Sequence, residues 1–148
     1  MYRHILIPTD GSDTAAKAVD AGTSYAREAG ARVLFFTAVP EYQPPSDADI
    51  MAHKHLKSIW EYEEQAGNDA RAILDKAAAG AKDANIEFET EFAFSDRPYQ
   101  AIIDAAKKHG CDAIFMASHG RTGLPALWYG SQTQDVLTHS DIPTLVYR

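Results

Sequence analysis

Hydrophobic positions in this chain alternate between short continuous runs and longer stretches with helical spacing. Ile5 to Pro8 is a short apolar run that stops at Thr9-Asp10-Gly11-Ser12, a cluster of turn and helix-start residues. Ala15, Ala18, Val19, Gly22, Tyr25, Ala26 and Ala29 then recur along one helix face, and Gly30 stands where a helix-ending glycine belongs. Val33 to Val39 is apolar and aromatic apart from Thr37, the pattern of a strand buried on both faces. Pro40 to Asp49 carries three prolines and reads as a long loop. A helical pattern follows through Leu56, Ile59, Trp60, Glu63, Ala66, Ala70, Ile73, Leu74, Ala77 and Ala81.

From Ile86 to Phe94 the rhythm changes to strict alternation. Ile86, Phe88, Thr90 and Phe92 share one face, and Glu87, Glu89 and Glu91 the other. That predicts a half-exposed strand with an acidic outer face, at a sheet edge. Pro98 suits the first turn of a helix whose buried stripe is Tyr99, Ile102, Ile103 and Ala106, ended by Gly110. Ala113 to Ala117 is another buried strand, and Ser118 to Tyr129 is glycine-rich. Ser131 is placed to cap a last helix through Val136 and Leu137; Pro143 breaks it, and Thr144 to Tyr147 makes a final strand. Five strands alternating with four helices predict an α/β fold on a parallel sheet. Residues 1–148 are expected to form one domain, since no repeat or composition shift divides them.

Charge narrows the partners. Lys plus Arg number 14 and Asp plus Glu 21, a net charge of −7. Nucleic acid and anionic membrane surfaces are both disfavoured, because each needs clustered positive charge. No apolar run approaches the roughly 20 residues of a membrane span, and the N-terminus reaches Pro8 and Asp10 too soon for a secretion signal. Cys111 is the only cysteine, so no intrachain disulfide forms and a reducing cytoplasm is expected.

In open parallel sheets ligands bind beyond the carboxyl ends of the strands, where strand order reverses. Two segments fall at such ends: Pro8-Thr9-Asp10-Gly11-Ser12, and Ala117 through His119 and Gly120 to Gly130-Ser131. Glycines let backbone N–H groups curl around an anion, and a helix opening at Gly130-Ser131 would attract phosphate. Asp10 suits the other end of a nucleotide, accepting from ribose hydroxyls; its plainer role is to cap the first helix. No G-x-x-x-x-G-K-[ST] loop and no G-x-G-x-x-G turn is present, which excludes a P-loop enzyme and disfavours a dinucleotide site.

His4-Ile5-Leu6-Ile7-Pro8-Thr9-Asp10-Gly11-Ser12 resembles the first strand of the universal stress protein family. Met116-Ala117-Ser118-His119-Gly120, Gly130-Ser131 and Ile142-Pro143-Thr144-Leu145-Val146 extend the resemblance over essentially the whole chain. The resemblance implies a sheet of order 3-2-1-4-5, a cytoplasmic homodimer and, in one branch, ATP binding through G-x2-G-x9-G-[ST]. This chain matches with Ala117 in place of the first glycine. A strand-ending residue has negative φ, where alanine is unstrained. Carried over by position, Asp10 would hold the ribose, and Pro8, Ala38 and Met116 would border the adenine. Ala117 lies at the first motif position. His119, Gly120, Gly130, Ser131 and Gln132 would surround the phosphates. Trp128 and Tyr129 would cover the pocket, pack on a partner or sit on the helix shoulder.

The resulting expectation is an adenine-nucleotide-binding stress-response regulator or sensor, loaded with ATP or AMP, with or without Mg²⁺. It would act on an unidentified regulatory protein and hydrolyse ATP slowly at most. Its dimer would form through the last strand, Thr144, Leu145, Val146 and Tyr147. A nucleotide-free dimeric scaffold is the alternative that Ala117 raises. A small hydrolase or phospho-accepting receiver ranks third, because Asp10 stands alone where such sites cluster acids. His53 and His55 are two apart and read as solvated; His4, His109 and His139 are expected at the surface. Cys111 is expected to be buried and unreactive.

Overall fold

The computed structural model describes residues 1–118 and 127–148, with residues 127–130 described as backbone only. Its elements in chain order are β1 (His4–Pro8), α1 (Asp13–Ala29), β2 (Arg32–Val39), α2 (Asp47–Met51), α3 (Ile59–Asp83), β3 (Phe88–Phe94), α4 (Pro98–Lys108), β4 (Ala113–Ala117), α5 (Leu127–His139) and β5 (Thr144–Tyr147). The five strands form one parallel sheet of order β3-β2-β1-β4-β5. The α/β class is therefore the one that the alternating pattern predicts, and the strand order the one that the family resemblance implies.

Alternation along the strands divides the core into two layers. Ile5, Ile7, Val33 and Phe35 face Val19 and Ala26 of α1 and Leu74, Ala78 and Ala81 of α3. Leu6, Leu34, Phe36 and Ala38 face Ile102 and Ala106 of α4 and Val136 of α5. Successive residues of a strand point to opposite faces, so strands covered on both sides become continuous apolar runs. β3 lies at the sheet edge, as its alternation predicts, with Phe88 and Phe92 packed against the α1/α3 layer.

Capping chemistry explains where several boundaries differ from the periodic pattern. Helix α3 starts at Ile59, because the Ser58 hydroxyl accepts from Glu61 N at 3.2 Å. Leu56 therefore lies before the helix. The long loop after β2 holds the short helix α2, closed at its start by a reciprocal Ser46–Asp49 capping box. Strand β3 begins at Phe88; Ile86 is used instead to end α3, its N–H bonded to Ala81 O at 2.9 Å. The last helix begins at Leu127, so Ser131 does not cap it.

Two of the three histidines expected at the surface are not there. His4 is buried in β1, and its Nδ1 has no hydrogen-bond partner among the described residues. His109 sits with its two ring nitrogens 3.3 Å from Glu89 and 3.3 Å from Glu91 of β3. Lys108 completes this group, donating to Glu91 at 2.7 Å. Helix α4 thus delivers Lys108 and His109 to the acidic face of the edge strand. His139 keeps its predicted exposure, with its ring against Tyr99.

Burial, then Arg32, holds the His4 pKa below the ordinary imidazole value. The unfolded chain therefore binds a proton that the folded chain refuses, and stability falls as pH drops below about 6.5. In a His4→Leu variant this loss below about pH 6.5 is expected to shrink, measured as melting temperature against pH. An unchanged acid slope would assign the loss to other groups.

Candidate functional site

The turn after β1 is built from side chains that hold their own backbone. Thr9 Oγ1 accepts from Gly11 N at 3.1 Å, and Asp10 Oδ1 accepts from Ser12 N at 2.9 Å. Ser12 Oγ then caps α1, accepting from Ala15 N at 3.2 Å. Gly11 has φ +79°, and a Cβ there would sit 3.0 Å from Ile73 Cγ1 on α3. Glycine is required on both grounds: left-handed backbone and close approach of α3. Asp10 does not cap the helix itself. It braces the turn with one carboxylate oxygen, and the other has no partner among the described residues.

Beside this turn a cleft of about 480 Å³ opens between the carboxyl end of β2 and α3. Asp10, Thr37, Ala38 and Pro40 line one side, and Tyr62, Asp69 and Ile73 the other. Among the described residues its wall is mostly apolar, with two carboxylates and no Lys, Arg or His. Tyr62 fixes one wall: its hydroxyl donates to Pro40 O, and its ring lies 5.7 Å from Tyr42 and 6.3 Å from Phe94. Burial, with Asp96 nearby, raises the Tyr62 pKa, so the phenol stays protonated and keeps donating. Tyr42 in turn donates to Lys57 O at 2.8 Å, strapping the loop across to the start of α3.

The predicted site residues separate into groups. Asp10 and Ala38 line the cleft together. Pro8 and Ala117 end the neighbouring strands β1 and β4, both buried. Ala117 lies in strand conformation and is not among the described residues with positive φ, so alanine is unstrained there. Its carbonyl accepts from the buried Thr133 hydroxyl at 2.7 Å, tying α5 to the end of β4. Met116 is fully buried among Leu6, Ile102 and Val136, in the core layer against α4 and α5.

Gly130 lies in the first turn of α5 and Ser131 just beyond it, where Ser131 is exposed. The first four residues of a helix carry its free N–H groups. Those are Leu127 to Gly130, so the helix-start reading of Gly130-Ser131 is shifted by about one turn. The Gln132 side chain is engaged elsewhere, its Oε1 accepting from Tyr99 N at 2.6 Å and satisfying a free N–H in the first turn of α4, which leaves its backbone N–H as the group expected near the phosphates. His119, Gly120 and the side chains of Trp128 and Tyr129 lie outside the described residues.

Sequence reasoning missed the α3 wall. Tyr62, Ala66, Asp69 and Ile73 lie at spacings of four, three and four, one face of a helix. The available signal was Asp69, an acid set within an otherwise apolar stripe. Cys111 is buried as expected, and burial pushes its thiol up to about 12. No group of three metal-ligating side chains occurs among the described residues, and His53 and His55 are exposed. No helix among them is long and apolar enough to cross a membrane.

An open sheet of order 3-2-1-4-5 with a cleft at its carboxyl ends defines a Rossmann-like α/β protein. The chain belongs to the universal stress protein family, whose model matches residues 1–148. It is 28% identical to the universal stress protein YxiE of Bacillus subtilis over 151 residues, covering 100% of both chains. The structure of universal stress protein UspA from Lactobacillus plantarum superposes with a TM-score of 0.77 at 23% identity, over 99% of this chain and 98% of that one. A universal stress protein crystallised in complex with cAMP superposes with a TM-score of 0.69 at 26% identity, over 99% and 97%.

Proposed function

We propose that this protein is an adenine-nucleotide-binding stress-response regulator, with the nucleoside seated in the cleft between β2 and α3. The observation that carries the reading is the composition of that cleft: an apolar wall of about 480 Å³ with the Asp10 carboxylate at its edge. An adenine ring favours such an apolar slot, and a carboxylate accepts from ribose hydroxyls. The related cAMP complex supports an adenine nucleotide as the ligand class. Phosphates find no cation among the described cleft residues, so they would extend toward the segment from His119 to Ser131. ATP or AMP is the proposed ligand, and Mg²⁺ would ride on the phosphates with few protein ligands.

Among the described residues the cleft pairs no nucleophile with a base, which supports a binding role with at most slow ATP hydrolysis. A sensor whose partner choice follows nucleotide occupancy fits this better than an enzyme. The proposed setting is cytoplasmic, as a homodimer paired through β5 (Thr144, Leu145, Val146 and Tyr147). β5 is an edge strand with Val146 and Tyr147 exposed, and edge strands are natural pairing surfaces.

Titration calorimetry with AMP, ATP and GMP tests the reading. Saturable one-site binding of the adenine nucleotides, with GMP far weaker, is expected. Absence of binding by either adenine nucleotide would favour the nucleotide-free scaffold.

A further inference from the structure

Helix α2 is capped at its start by the Ser46–Asp49 box, yet it buries no residue. Its apolar side chains face outward, and so do those that follow. Ile50, Met51, Leu56, Ile59 and Trp60 are all exposed, Met51 by 79% and Trp60 by 82%. Nine large hydrophobic residues are exposed among the described residues, and five of them fall within these eleven positions. None of the five lines the nucleotide cleft. A patch of this kind that includes an exposed tryptophan has the make-up of an interface core.

The charges around the patch have an order. His53, Lys54, His55 and Lys57 precede Ile59-Trp60, and Glu61, Glu63 and Glu64 follow. Lys54 is held by Asp49 at 3.3 Å and His55 lies 4.0 Å from Glu61, whereas Lys57, Glu63 and Glu64 form no ion pair among the described residues. A basic–apolar–acidic sequence is self-complementary about a two-fold axis through its centre. The basic half of one copy then meets the acidic half of the other.

We propose that residues 50–64 form a face on which a second copy of this chain docks antiparallel, with Trp60 at the centre and Lys57 opposite Glu63 and Glu64 of the other copy. Helix α3 packs on β2 and β3, at the far end of the sheet from β5. This face is therefore separate from the last strand and can operate alongside pairing there. Where both operate, the assembly is larger than a dimer.

Sedimentation of the full chain tests the proposal. Trp60→Glu, at an exposed position, is expected to halve the assembly mass while circular dichroism and melting temperature stay at wild-type values. Lys57→Glu alone and the double variant Glu63→Lys/Glu64→Lys alone should each lower the mass through like-charge repulsion. An equimolar mixture of those two variants should restore it, because every rim contact then joins opposite charges. A wild-type mass that Trp60→Glu leaves unchanged overturns the proposal. So does a mixture that stays as dissociated as its components. Loss of mass on altering Val146 but not Trp60 would place association at β5 alone.

Discussion

Replacing Gly22 by valine is expected to lower the melting temperature by about 2–10 °C. Gly22 lies on α1 where the helix crosses the sheet. A Cβ there would stand 2.7 Å from Ile7 Cδ1 and 3.0 Å from Phe115 Cδ1. Both neighbours belong to the packed α1/α3 layer and have little room to move. Valine adds three carbons to that contact. Overpacking of this kind costs about 1–3 kcal/mol, and valine recovers only a few tenths through better helix propensity. At roughly 2–4 °C per kcal/mol for a chain of this size, the fall is easily seen in a melt. Gly80→Ala is the control. A Cβ on Gly80 of α3 meets nothing within 4 Å, so alanine there should raise stability by about 0.4–1 kcal/mol. If Gly22→Val melted like wild type, α1 would have to sit further from the sheet than described.

Asp10→Asn is expected to weaken adenine-nucleotide binding by about 10–100-fold with little change in stability. The two carboxylate oxygens have separable tasks. Oδ1 holds the turn through Ser12 N at 2.9 Å, and the amide oxygen of asparagine can keep that bond. The other oxygen becomes an NH₂ group, which donates and can no longer accept from a ribose hydroxyl. A hydrogen bond to a charged group contributes about 1.5–3 kcal/mol, which sets the expected loss in affinity. Calorimetric titration beside a melt separates the two effects. Equal loss of stability and affinity would mean that Asp10 serves only the turn.

The fold was legible because its strands and helices differ so sharply in period. Val33 to Val39 and Ala113 to Ala117 read as doubly buried strands, and they are β2 and β4. The edge position of β3 was readable from Glu87, Glu89 and Glu91 alternating with apolar residues. Boundaries were less legible, since hydrogen bonds set them. Leu56 continues the apolar rhythm of α3, yet Ser58 captures Glu61 N and starts the helix after it. The site divides in the same way. Asp10 was found because it follows a strand end, a position fixed by chain order, and Ala38 only through the family resemblance. Asp69 and Tyr62 reach the cleft only through the packing of α3 across β2; the acid within the helical stripe marks Asp69 as unusual but does not say which strand end it faces. His4 and His109 were misplaced because a lone histidine carries no signal of the carboxylates or strands that enclose it.

The measurement that bears most directly on the proposed nucleotide site is a thermal melt of nucleotide-free protein, verified by mass spectrometry, with excess AMP, ATP or GTP. At 100 times Kd, one-site binding stabilises the fold by about 2.7 kcal/mol, a rise of about 5–10 °C for a chain of this size. A rise with AMP and ATP, absent with GTP and lost in Asp10→Asn, is the predicted result. No rise with either adenine nucleotide would contradict the assignment of the cleft.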